Sequence, residues 1–242
     1  MKKLYAKNEL LFAIVFIVLY VAGSSVAAAG SEKIGIPDSL TFVFHAALSV
    51  ILLVFLCKNK LTTTYGLCKT QIRSVHFLYY VPFAVLVSVN FWFGVGLQRS
   101  PLQSALQAGS MLCVGFLEEI IFRGLLFKAM AKDNVKAAVI VSSVTFGIGH
   151  IINLLNGAQL LPTLCQILYA TAFGFLCVIV FHKGKTLLPC IISHSAVNTL
   201  SVFANEKTTD KQIILSSLAL FVIAGAYALY LRKSLSETKD TI

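Results

Sequence analysis

The chain is 242 residues long, 57% hydrophobic and only 12% charged, with a mean hydropathy of +0.84. That balance lies far outside the range of a water-soluble globular domain, so the sequence reads as an integral membrane protein. The formal net charge of +10 is assigned to membrane topology and anionic lipid, which leaves no need for a nucleic-acid partner.

Eight apolar runs follow one another along the chain, at 10–29, 38–57, 76–97, 105–127, 137–155, 160–181, 187–204 and 212–231. A helix of about 20 residues, rising ~1.5 Å per residue, covers the ~30 Å of hydrocarbon in a bilayer. The connections are short, and the alternating pattern of β-barrel strands is absent. The expected fold is therefore all-α, a polytopic helical bundle of about eight transmembrane helices forming one membrane domain over residues 1–242.

The basic residues set an expected orientation. Sixteen of the twenty fall on one side, in the groups Lys2, Lys3 and Lys7; Lys58, Lys60, Lys69 and Arg73; Arg123, Lys128, Lys132 and Lys136; Lys183 and Lys185; and Arg232, Lys233 and Lys239. Lys33, Arg99, Lys207 and Lys211 are on the other. Because Lys and Arg are retained on the cytoplasmic side, both termini are expected in the cytoplasm. The opening MKK, apolar run and SSVAAAG also resemble a secretory signal ending near Ala29, which would leave seven spans in the same orientation. The six cysteines form no CxxC pair and read as small buried hydrophobes.

Against this background the stretch VGFLEEIIFRGLLF, residues 114–127, places Glu118, Glu119 and Arg123 inside an apolar run. A charge near the bilayer centre costs at least ~2.5–3.5 kcal/mol, so each needs a partner or a wet cavity. Glu119 and Arg123 are four apart in the favourable acid-to-base order and read as an ion pair. Glu118 then has no partner on its own helix and is the carboxylate free for chemistry.

The remaining intramembrane polar groups are His150 in FGIGH and His194 and Asn198 in HSAVN. His194 and Asn198 share a helix face and can offer two donors toward one developing oxyanion. At ~1.5 Å per residue, Glu118 lies roughly 15 Å above Lys128, His194 roughly 14 Å above Lys185, and His150 about 21 Å above Lys136. Those depths are compatible with one layer. His45 reads as an interhelical hydrogen bonder, and His76 and His182 as groups at span ends. Pro189 is expected to kink span seven. Gly109, Gly115, Gly124, Gly147 and Gly149 are read as points of close helix contact.

EEIIFR at 118–123, FGIGH at 146–150 and HSAVN at 194–198 together resemble the three motifs, EExxxR, FxxxH and HxxxN/D, of the CPBP intramembrane protease family. That family includes CAAX prenyl proteases and bacterial Abi-type proteins. The core of the likeness runs over about 75–205. The resemblance implies an intramembrane endopeptidase in which Glu118 and His150 activate a water, His194 and Asn198 stabilise the oxyanion, and Glu119, Arg123 and Phe146 support them. A carboxylate withdrawn from bulk water is the better base near neutral pH.

No cofactor is favoured; zinc held by Glu118, His150 and His194 is the alternative, although no HExxH motif is present. The expected partners are membrane lipid and a peptide or membrane-protein substrate, reaching the site from the cytoplasmic side or laterally. The compact, lysine-rich loops point to a bacterial cytoplasmic membrane. Two rival functions stand beside proteolysis. One is a non-proteolytic protein that regulates a membrane partner or confers bacteriocin immunity; the other is a proton-coupled carrier.

Overall fold

The computed structural model describes residues 1–69, 80–97, 99–205 and 207–234. His76, Arg73, Lys239 and the start of expected span three lie outside them. The described chain is helical: α1 (Lys2–Lys7), α2 (Glu9–Lys33), α3 (Ser39–Lys58), α4 (Val81–Ser88) with a 3-10 turn at Val89–Phe91, and α5 (Pro101–Glu118). A π-helical segment, Glu119–Phe127, carries α5 without a break into α6 (Lys128–Ala131). There follow α7 (Val135–Gly149), α8 (Ile152–Leu155), α9 (Leu160–Gly184), α10 (Leu188–Ser201) and α11 (Asp210–Ser234).

The runs 10–29, 38–57, 160–181, 187–204 and 212–231 fall largely on α2, α3, α9, α10 and α11, the runs 105–127 and 137–155 on α5 with the π-helical segment and on α7 with α8, and the described part of run 76–97 on the short α4 and its 3-10 turn. Five stretches are long and apolar enough to cross a membrane: Glu9–Lys33, Ser39–Lys58, Val135–Leu155, Leu160–Gly184 and Asp210–Lys233. Local chemistry sets the helix starts. Asn8, Ser100 and Asn134 accept hydrogen bonds from the backbone N–H groups of Leu11, Gln103 and Ala137, satisfying donors that a first turn leaves open. Pro189 sits in the first turn of α10 rather than at a kink, a position where its missing N–H costs nothing.

Helix α9 packs between α7 and α11, and α5 between α3 and α10. The α5–α10 approach depends on Gly115, where a Cβ would collide with the backbone of Ser195. Gly147 meets Thr171 and Gly109 meets Phe42 in the same way, whereas Gly124 and Gly149 have room for a methyl group.

The basic ends of the helices gather at one end of the bundle. Lys132 bonds Glu9 at 2.7 Å, and that carboxylate holds the Lys132 ammonium pKa above its ordinary value. Tyr65 donates to Tyr5, and Thr186 donates to the carbonyl of Cys68, tying the loop after α3 to the loop after α9. Arg123 does not join this surface, being fully buried.

Candidate active site

Glu118 and Glu119 are neighbours in sequence with different surroundings. Glu119 is fully buried, and its Oε1 lies 3.2 Å from Arg123 Nη1. The guanidinium in turn lies over the Phe146 ring, 3.9 Å from its centroid. This is the expected ion pair, with one addition: the same Oε1 accepts a 2.8 Å hydrogen bond from His194 Nδ1. Gly174 gives Arg123 its room, since a Cβ there would lie 3.1 Å from Nη2.

Glu118 retains 12% of its side-chain exposure and is not unpartnered. Tyr20 of α2 donates its hydroxyl to Oε1 at 2.7 Å, and His194 Nε2 stands 3.3 Å from Oε2. The acid has no partner on its own helix, as the spacing indicated, yet is held from two others. His194 thus bridges the two carboxylates and sits between the Phe146 and Phe173 rings, at centroid distances of 5.6 and 5.2 Å.

His150 is the C-cap of α7 and half-buried. Its Nδ1 lies 3.0 Å from the carbonyl oxygen of Phe146. A carbonyl only accepts, so Nδ1 carries the proton and Nε2 is the open ring nitrogen. Phe146 contacts His150, His194 and Arg123 together, which explains why an aromatic residue serves at this position.

Glu118, His150, His194 and Asn198 all line one cavity of about 390 Å³. The expectation that three helices deliver their polar side chains to a shared pocket therefore agrees with where these residues sit. His194 departs from it, because both ring nitrogens already face carboxylates and neither is free for a substrate at rest. Asn198, half-buried, lines the wall one turn further along α10.

The cavity includes residues that sequence reasoning set aside. Tyr20 carried no signal, since an aromatic residue in an apolar helix reads as packing. His45 is the interhelical bonder it was taken for: its Nε2 bonds Ser24 and its Nδ1 bonds Ser110, each at 2.8 Å. It also borders the cavity. Asn153 donates to Gln166 at 2.9 Å, and Asn90 to the carbonyl of Val197 at 2.8 Å.

The π-helical segment is the local distortion behind this geometry. It begins at Glu119, beside the cavity, and all nine of its residues are buried, Phe122 among them still bordering the cavity. Such segments loosen the i→i−4 ladder and recur at functional sites. Here one of its carbonyls, that of Phe122, takes a 2.8 Å hydrogen bond from Ser142 of α7.

The zinc alternative requires Glu118, His150 and His194 around one point. Zinc bonds of ~2.0–2.1 Å in a tetrahedron hold donor atoms about 3.4 Å apart. Among the described residues the donors gathered within 4.8 Å are instead Glu119, Cys177 and Cys190, where Arg123 already supplies positive charge. Glu118 and His194 meet at 3.3 Å, but His150 is not gathered with both of them within 4.8 Å. Of the six cysteines only Cys177 and Cys190 are fully buried, and Cys57 is exposed, so the reading of all six as core residues is corrected.

Residues 100–200, which contain all three motifs, match a family model described as type II CAAX prenyl endopeptidase Rce1-like. Comparison with curated proteins and with solved structures returns no match.

Proposed function

We propose that this chain, whose residues 100–200 match the model of Rce1-like type II CAAX prenyl endopeptidases, hydrolyses peptide bonds within the membrane. Glu118 acts as the general base. The observation that supports this reading is a carboxylate held by Tyr20 and His194 at the wall of a cavity that also contains His150 and Asn198.

The steps follow from the hydrogen bonds. The 3.3 Å separation of His194 Nε2 from Glu118 Oε2 is long for a charge-assisted bond, which at full strength measures ~2.7–2.9 Å. A substrate carbonyl oxygen entering beside it takes over the Nε2–H, and the Asn198 carboxamide adds a second donor. Glu118, released from His194, accepts the proton of a water aligned by the open Nε2 of His150. As the tetrahedral intermediate collapses, that proton passes to the leaving amine. Glu119 keeps the His194 ring in register through Nδ1, so the donor does not reorganise as charge develops.

The test compares wild type with Glu118→Gln in lipid vesicles containing candidate membrane peptides, following new termini by mass spectrometry. New termini only in the wild-type sample are expected, and equal cleavage by both removes the proposal. A chelator arm decides the metal: activity that survives chelation, with no stoichiometric zinc in the protein, is the expected outcome.

A further inference from the structure

The cavity is lopsided along the bundle axis, and the imbalance bears on where its substrate comes from. Helix α2 rises from the basic end and contributes Tyr20 and Val21 at its midpoint and Ser24 and Ser25 beyond it. Helix α9 descends to the basic end and contributes Gln166 and Tyr169, from its first half. The polar lining of the other walls falls toward the same end, with Asn90 after α4, Asn153 and Asn156 after α7 and Ser201 at the end of α10, while the apolar Phe122, Phe173 and Ala224 line the deeper part.

Toward the lysines the floor is closed. Leu117, Ile120, Leu125, Leu176, Val178 and Leu187 are at most 2% exposed. Toward the opposite end the lining opens, with Asn156 and Ser201 exposed and His150, Asn153 and Asn198 half-buried. The polar groups at this mouth are carboxamides, hydroxyls and the His150 imidazole, and Glu118 is the one Lys, Arg, Asp or Glu in the lining among the described residues.

We infer that the cavity takes its substrate from the extracytoplasmic face, as an extended peptide segment without charged side chains over the stretch that enters. Lys and Arg mark the cytoplasmic end of a membrane bundle, and the mouth is at the other end. Carboxamides offer both donors and acceptors, matching the N–H and C=O groups of an extended backbone. A charged side chain in the cavity loses its hydration and meets no counter-charge except Glu118, which it would silence as a base. Entry from the cytoplasmic side, one of the two routes read from sequence, meets the closed floor. That the occupant is a peptide rests on the proposed function; the direction of entry does not.

The experiment is thiol labelling in intact expressing cells with a membrane-impermeant maleimide. Asn156→Cys and, as a second mouth position, Ser201→Cys are compared with wild type, whose exposed Cys57 lies at the lysine-rich end. Labelling of either variant in intact cells, with Cys57 labelled only after permeabilisation, is expected. The reverse pattern overturns the inference. A capped, uncharged decapeptide is expected to slow labelling of Ser201→Cys several-fold more than the same peptide with a central lysine; equal protection by the two overturns the charge selection. Labelling reports access alone, so its failure and a failure of peptide cleavage are read separately.

Discussion

On the lysine-rich side of residue 118 the bundle closes over a buried ion pair with fully buried aliphatic side chains, and on the other side it encloses a cavity of about 390 Å³ whose mostly apolar wall carries carboxamides, hydroxyls and histidines. Both halves hold charge where lipid would refuse it, by different means. Arg123 is compensated by Glu119 and the Phe146 ring and sees no solvent. Glu118 is compensated by two movable donors and keeps access to the cavity. Adjacent carboxylates on one helix are thus a buried ion-pair partner and a cavity-facing acid, the latter the base of the proposed reaction, separated by the start of the π-helical segment.

This contrast can be broken from either side. The largest effect belongs to the packed half. Arg123→Ala leaves Glu119 buried without its cation, and removing one partner of such a pair costs about 3–5 kcal/mol. Thermal unfolding in detergent should show that loss, and a variant as stable as wild type would show that the pair does not hold the floor together. Next comes Asn198→Ala in the cavity half. Loss of one oxyanion donor lowers turnover by on the order of 10²–10³, with the melting temperature unchanged. If stability falls instead, Asn198 belongs to the packing.

Tyr20→Phe is a finer probe, since it removes one hydroxyl and keeps the ring. A hydrogen bond to a charged group contributes about 1.5–3 kcal/mol, so turnover should fall at least about tenfold while KM holds. An unchanged rate would make the α2 contact incidental. The smallest effect is expected at Ser142→Ala, which takes a neutral hydrogen bond of about 0.5–1.5 kcal/mol from the Phe122 carbonyl. Its reading is a modest shift in melting temperature at full activity.

Polar residues in apolar runs were the legible part of the site. Glu118, Glu119, Arg123, His150, His194 and Asn198 stand out because lipid makes each of them costly, and helical spacing alone pairs Glu119 with Arg123. What stayed hidden depends on tertiary contact. Tyr20 lies 98 positions from the acid it holds, and nothing in an aromatic residue on an apolar helix announces a hydroxyl aimed at a carboxylate. The bridging role of His194 was equally unreadable, because spacing along α10 pairs it with Asn198 and says nothing of two glutamates on another helix. The π-helical segment was hidden as well, since the i, i+4 spacing of Glu119 and Arg123 reads equally as ordinary α-helix. The start of α10 is different: Pro189 two residues into a helix follows a rule that sequence alone could have applied.

The central claim is that Glu118 activates water rather than attacking the peptide itself. A single turnover in H₂¹⁸O, with excess protein over a cleaved peptide, tests it most directly. The account predicts ¹⁸O in the new carboxyl terminus of the product and none in the Glu118 side chain. Label appearing in Glu118, with a first-turnover product that carries only ¹⁶O, would mean a covalent acyl-enzyme and would contradict it.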